Sequence, residues 1–509
     1  MMLLTDELLL NYKRCRRRTY LDLYGNDRER DATKEFLLKL KRESQTHIAA
    51  VLAARSLSYH RPQASAKDWL LNAQETRALM QQGVECIYGG ILTLTLADWR
   101  SSLITEPMQE KIEIDATQSD NLLFLASPTL LIKQPGKSQW GDWLYVPVNI
   151  KLGRRPKQEY KFIAAFHAQV LAAIQGVLPS QSQLILRQHD DYFVHLEHWL
   201  PKMQATVANC LQMLATDKEP EVFISRQKCS LCHWYSHCYT KAKSEQHLSL
   251  IPGVTPKRYE YLTTIGIESV ESLAATCPLN LGEAIGTQAA MELKQQARSL
   301  LDDRALLKYN YLRTAKTTIP TAAIELYFDI EAEPERNLDY LLGVLLVDRR
   351  ERTERFYPLL AENPEEEGQI WQQFLTLVNS YPNAPIFHFS EYEIDTIKRL
   401  AKLYRTPKPQ IKSLLSRCVD LHYLITRSVI LPVESYSLKS LANWIGFHWR
   451  DRGASGDQCV CWYDRWIKTK DRSFIEAILR YNEDDCRATF YLKDWLVQFL
   501  LEVRMDEIV

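Results

Sequence analysis

The stretch AAIELYFDIEAEPERNLDYLLGVLLVD, residues 322–348, decides the fold of the last third of the chain. It alternates and then runs apolar, the pattern of paired strands. Within it, FDIE places Asp329 and Glu331 two residues apart, and strand alternation turns both carboxylates to one face. Two like charges flanked by LYF and LLGVLLV are costly without a cation. The chain continues with a strand at PIFHF (385–389), helices at EIDTIKRLAKLY and KSLANWIGF, and a long final helix over 474–502. That helix carries RYNEDDCRAT (480–489), so Tyr481 and Asp485 stand four residues apart on one helical face. HFSEYE (388–393) adds Glu393 at a strand-to-helix junction.

In this chain order the acids resemble those of the DEDD exonucleases of the ribonuclease-H-like fold. There a D-x-E sits on the first strand, a third acid follows the central motif, and Tyr-x₃-Asp lies on the last helix. The resemblance implies that Asp329, Glu331, Glu393 and Asp485 hold two divalent ions, Mg²⁺ or Mn²⁺, which activate water and stabilise the departing oxygen. Tyr481 then orients the water or the scissile phosphate; its high reference pKa argues against a free general base. The central motif departs from the usual Asn-x-x-x-Asp pattern. Ser390 and Glu393 stand there, with Asp395 as the alternative third acid and Asp420 as a supporting one. The following run, KRLAKLYRTPKPQIKSLLSR (398–417), carries seven basic residues and no acid. Its Lys402, Arg405 and Lys408 are candidates to hold a strand backbone, a solvated helix being the plainer reading.

At 509 residues the chain is too long for one core, and two or three domains are expected. Its 46% hydrophobic and 25% charged residues fit a globular protein, and 63 basic residues balance 63 acidic ones, so total charge is silent about an anionic partner. The N-terminal apolar run is too short and interrupted for a signal peptide, and no stretch of eighteen apolar residues follows. A cytoplasmic location with no membrane partner is expected. PGKS (135–138) lacks the earlier glycine of a P-loop, so any unwinding partner would be a separate helicase.

The first 60 residues read as helical and contain the basic knot KRCRRR (13–18). Strands are expected over 84–96, 122–133 and 143–152, with a hairpin around Gly136 and Gly141, a helix over 160–176, a strand pair near 184–197 and a helix over 201–215. CSLCHWYSHC (229–238) closes this region. Three thiols in one loop suit zinc or an iron–sulfur cluster, and the candidate fourth ligand is Cys15 inside the basic knot. One early cysteine followed far downstream by C-x₂-C-x₅-C resembles the iron–sulfur nucleases of the RecB/Cas4-like PD-(D/E)XK group. The resemblance implies a 4Fe-4S cluster on Cys15, Cys229, Cys232 and Cys238, with zinc as the alternative.

That family also implies a nuclease site of a helical His, an Asp, an acid two residues before a Lys, and a later Gln. His47, Lys151 and Gln169 stand at matching places, but Thr129 and Asn149 replace both acids, so the site is expected to be degenerate and to bind rather than cut. Asp142 or Glu113 are the candidate substitutes. Lys13, Arg14 and Arg16 of the knot and Arg154, Arg155 and Lys157 of KLGRRPK (151–157) are expected to contact nucleic acid.

The whole chain resembles bacterial RecB-family nucleases joined to a YprB-type exonuclease domain. The expected architecture is α/β and multidomain: a PD-(D/E)XK nuclease-like domain at 1–247, a helical helix-hairpin-helix-like connector at 248–318, and a ribonuclease-H-like DEDD exonuclease domain at 319–509. The resemblance implies a 3′-to-5′ exonuclease acting on single-stranded or frayed DNA, with RNA also open and a repair or defence complex as setting. The rival reading is a non-catalytic nucleic-acid-binding scaffold.

Overall fold

The computed structural model describes residues 2–506 except 57, 103–121, 188–190, 217, 310 and 312–318. The chain divides into two units, Met1–Cys238 and Tyr239–Val509. No helix among the described residues is long and apolar enough to cross a membrane.

The first unit opens on a strand rather than a helix. β1 (Met2–Thr5) pairs in parallel with a later strand, Leu3 opposite Leu123, and this long-range partner is what helical periodicity could not foresee. The helix Asp6–Arg14 follows, its first turn capped by Thr5, whose Oγ1 accepts the Leu8 N–H. The remaining strands are β2 (Cys86–Tyr88), β3 (Leu92–Thr95), β4 (Leu122–Ala126), β5 (Leu130–Ser138), β6 (Gly141–Ile150), β7 (Ser182–Ile185) and β8 (Asp191–Val194). They form a three-stranded sheet, β1-β4-β3, and a five-stranded one, β2-β5-β6-β7-β8. β5 and β6 make the expected hairpin, while β6 and β7 run parallel and need the crossover helix Gln158–Gln175 between them. On β6, Val148 and Ile150 pack with Val51 and Leu52 of the helix Glu35–Ala54. Tyr145 points instead into the core built with Phe162 and Phe166. Alternation therefore puts Asn149 on the Tyr145 face, with Lys151 following just beyond the strand end.

In the second unit the helices Pro256–Thr264, Val270–Ala275 and Thr287–Asp302 enclose a small core of Leu248, Leu262, Leu273 and Leu293. A short pair, β9 (Leu306–Leu307) with β15 (Val429–Ile430), follows. The main sheet consists of β10 (Ile324–Glu333), β11 (Leu338–Asp348), β12 (Thr353–Leu360), β13 (Ile386–His388) and β14 (Cys418–Asp420), in the order β12-β11-β10-β13-β14. The first three are antiparallel neighbours, and β13 and β14 join in parallel.

Both faces of this sheet are covered. Leu326, Phe328 and Ile330 pack with Trp371 and Phe374 of the helix Glu367–Ser380. On the other face, Tyr327, Leu345 and Val347 meet Cys486 and Phe490 of the helix Arg472–Asp506. The contact is close because β11 has Gly343 opposite Asp329: a Cβ there would lie 1.6 Å from Asn482 Oδ1. Further down the same helix, buried Lys493 donates to Glu325 at 2.7 Å, and Arg349 bridges Glu325 and Asp494.

Candidate functional site

Alternation sends Asp329 and Glu331 to the face that receives the C-terminal helix, and that helix turns Asp485 toward them. One oxygen from each of the three carboxylates lies within 4.8 Å of the others, the arrangement of a cation site. Glu331 and Asp485 are 6% and 9% exposed. Burial first, then the charges of Asp485, Glu331 and Glu393, hold the Asp329 carboxyl well above the usual carboxylate range. Burial and the Asp485 charge do the same to Glu331, and burial pushes Asp485 up to about 7. Like charges this close are stable only if protonated or neutralised from outside. All the donors are hard oxygens, which fits Mg²⁺ or Mn²⁺.

Four neighbours not singled out in the sequence shape this cluster. Asn482 donates to Asp329 Oδ2 at 2.7 Å, and the Trp449 indole N–H donates to Asp485 Oδ1, also at 2.7 Å. Cys459 is buried, its thiol held protonated by burial and then by the Glu331 charge, and it hydrogen-bonds Glu331. Lys439 sits 5.5 Å from the Trp449 ring centroid, and its charge favours ionised Asp485. Asn482 adjoins Tyr481 within the quoted motif and was open to notice. Trp449 lies 36 residues before Asp485 and had no local signal. Tyr481 itself hydrogen-bonds Asp485. Burial and the Asp485 charge push its phenol far above the ordinary value, so it stays a proton donor.

Glu393 comes near without joining the group of three. It sits on the first turn of the helix Tyr392–Leu403, is 4% exposed, and its charge lifts Asp329. Its Oε2 has no hydrogen-bond partner and lies 3.6 Å from His388 Nδ1. The turn before it is tight: Ser390 has φ +104°, its carbonyl faces His388 Nδ1 at 2.7 Å, and its N–H reaches Asp420. Asp395 is exposed and pairs with Lys398. Asp420 caps the helix Leu421–Ser428. Lys402, Arg405 and Lys408 do not approach the acids: Lys402 lies nine residues beyond Glu393, about 14 Å along the helix axis.

In the first unit the expected residues fall on both faces of the five-stranded sheet. Thr129 Oγ1 accepts the Ile150 N–H at 3.1 Å, a backbone-bracing role. His47 lies on the helix that covers the Val148 and Ile150 face, whereas Asn149 is on the other face. Asn149 is 1% exposed and its amide has no hydrogen-bond partner. Gln169 donates to Ser102 and accepts from Gln204. The companion of Lys151 is one the sequence reading missed, Asp6. Its Oδ2 meets His167 Nε2 at 2.9 Å and accepts from the N–H and hydroxyl of Ser127. Burial would raise this carboxyl, but His167 and Ser127 outweigh it and hold Asp6 at about 2. Burial lowers Lys151, and the Asp6 charge opposes that. Asp142 is exposed at the hairpin end of β6, roughly 23 Å from Asn149 along the strand, and Glu113 lies outside the described residues. Lys13, Arg14, Arg16, Arg154, Arg155 and Lys157 are exposed, and Arg14 and Lys157 both act on Tyr160, bringing the two basic segments together.

The iron–sulfur centre on Cys15, Cys229, Cys232 and Cys238 is overturned, and with it the zinc alternative. Among the described residues the group of three or more ligand atoms within 4.8 Å of one another is Asp329, Glu331 and Asp485, not a cysteine set. The four cysteines form no disulfide, and burial raises the thiols of Cys229, Cys232 and Cys238 above the ordinary value. What ties the early helices to the 229–238 segment is polar. Asp22 accepts from Asn11 and the Trp234 indole and pairs with His233, while His237 pairs with Glu29. The spacing that suggests metal ligation is accompanied by hydrogen bonds and ion pairs that do the joining.

Residues 326–497 match the sequence model of the RNase_H superfamily. No curated protein matches the chain. The match and the acidic centre overturn the resemblance to the iron–sulfur RecB/Cas4-like family, because the metal-type site is built of Asp and Glu on the RNase_H-like region. The molecule is a multidomain α/β protein whose residues 326–497 form an RNase_H-like fold, the fold of a nuclease superfamily, carrying an Asp/Glu/Asp centre.

Proposed function

We propose that the chain is a metal-dependent phosphodiester hydrolase whose chemistry resides at Asp329, Glu331 and Asp485. The observation that carries this reading is the approach of three carboxylates, buried or half-buried, within 4.8 Å on an RNase_H-like region. A divalent ion held there would supply charge neutralisation at the phosphate and an activated water. Glu393, buried beside His388, completes the acidic set. Tyr481, held as a proton donor, positions the water or phosphate, and Trp449 and Asn482 fix the two aspartates. The D-x-E strand and Tyr-x₃-Asp helix favour exonucleolytic removal of nucleotides from 3′ ends of single-stranded or frayed DNA.

On this reading the first unit grips the strand through its paired basic segments. Its nuclease-like sheet cuts nothing, because Thr129 and Asn149 carry no charge. The helices within 248–318 serve as a connector.

The test is cleavage of end-labelled single-stranded and duplex DNA and RNA with Mg²⁺ or Mn²⁺. Cutting by wild type and Lys151→Ala, lost in Asp329→Ala plus Asp485→Ala, is the expected result. Loss in Lys151→Ala with retention in the double variant would move catalysis to the first unit. A well-folded wild type that cuts nothing would leave a nucleic-acid-binding scaffold.

A further inference from the structure

At the far end of the helix that begins beside Glu393, a cavity of about 740 Å³ opens between Tyr392–Leu403 and Lys408–Leu415. Its lining combines two chemistries. Ala401, Ile411 and Leu415 make an aliphatic floor, the last two four residues apart on one helical face. Lys402, Arg405, Lys408 and Lys412 stand around it, all exposed, and no carboxylate lines the cavity. Among the described residues none of these four side chains makes an ion pair or hydrogen bond. Arg405 also holds a left-handed backbone, φ +52°, at the turn between the helices.

We propose that this cavity docks a protein partner presenting an acidic segment with a large apolar side chain. Four unpaired cations within a Debye length repel one another, and an anionic ligand relieves that repulsion. Charge alone would suit a nucleic-acid backbone equally well. The floor decides: sites that track single strands stack bases on aromatic rings, and no aromatic residue lines this cavity. An aliphatic pocket inside a charged rim is instead the anatomy of a protein–protein anchor point, one apolar side chain buried and its acidic neighbours held at the edge. The inference stands apart from the nuclease reading, since the cavity shares no residue with the acidic centre.

The test uses the full chain and fluorescence anisotropy with three labelled probes. One is a short Asp/Glu peptide ending in Leu-Phe, one is the same peptide with Ser for Leu and Phe, and one is a single-stranded oligonucleotide. The expected result is saturable binding of the first peptide, weakened about tenfold by Arg405→Glu plus Lys408→Glu and by Leu415→Ser. The serine peptide binds about tenfold more weakly, and oligonucleotide binding changes less than about twofold in either variant. Arg405 and Lys408 are exposed, so the charge reversal leaves the fold intact, which matched melting confirms. The proposal is overturned if wild type fails to bind the first peptide, if binding ignores the charge reversal, or if the serine peptide binds as well. Loss of oligonucleotide binding in the charge-reversed chain, with the peptide unaffected, would make the cavity a strand site.

Discussion

The two units each bury a group of ionisable side chains, and they do so in opposite ways. In the first, Asp6 is matched by His167, Ser127 and the nearby Lys151, so the charges are balanced within the protein. In the second, Asp329, Glu331 and Asp485 share one sign and repel each other. A self-neutral cluster holds a fold together; an unbalanced one is stable only with help from outside. The contrast separates a structural polar core from a candidate cation site.

The largest expected effect strikes the unbalanced cluster. Asp485→Asn should lower metal-dependent cleavage by about a thousandfold or more while raising the melting temperature of the metal-free protein, because one like charge is gone. A melting scan in EDTA beside the cleavage assay checks both signs. The same change in the balanced cluster reverses the pattern. Asp6→Asn should cost about 3 kcal/mol of stability in denaturant melts, since it strands His167 and Lys151. Binding of Mn²⁺ by the chain should be unchanged.

Acidity sharpens the comparison. Asp6 is depressed from 3.8 to about 2, so its contribution of about 2 kcal/mol is fully present above 3.8 and lost as pH falls through 2. Asp485 is raised from 3.8 to about 7, so its contribution is present below 3.8 and lost as pH rises through 7. Together these two groups favour the metal-free fold most near pH 4, so removing both, in Asp6→Asn plus Asp485→Asn, should flatten the dependence of melting in EDTA on pH. Added Mn²⁺ should restore the loss on the alkaline side alone. The smallest effect belongs to Trp449→Phe, which removes the indole donor to Asp485 and keeps an aromatic ring in its place. Metal affinity, read by Mn²⁺ titration, should weaken about tenfold, with cleavage recovered at saturating metal.

What was legible in the sequence was what local geometry determines. Asp329 and Glu331 are related by strand alternation, and Tyr481 and Asp485 by one helical turn, so their faces followed from spacing alone. The antiparallel hairpin of β10 and β11 and the helix ending the chain were legible for the same reason. Partners brought together only by folding were not. Trp449 reaches Asp485, and Asp6 reaches His167, across 36 and 161 residues. The cysteine spacing misled because a tight thiol cluster reads alike whether it binds metal or merely packs beside Asp22 and Trp234. Glu393 lies between these cases: the junction was visible, but the depth of its carboxylate depended on the left-handed turn at Ser390.

One last consequence concerns length rather than charge. The C-terminal helix touches β10 at two rungs, Asn482 with Asp329 and Lys493 with Glu325. Eleven residues of helix span about 16 Å and make about three turns, which keeps both rungs on the helical face that looks at the about 13 Å of strand between Asp329 and Glu325. Inserting or deleting one residue between 482 and 493 would turn one end of the helix by about 100° and pull one rung away. Among variants of this chain, a substitution at an exposed position between the rungs, such as Tyr491, should be tolerated where length changes are not.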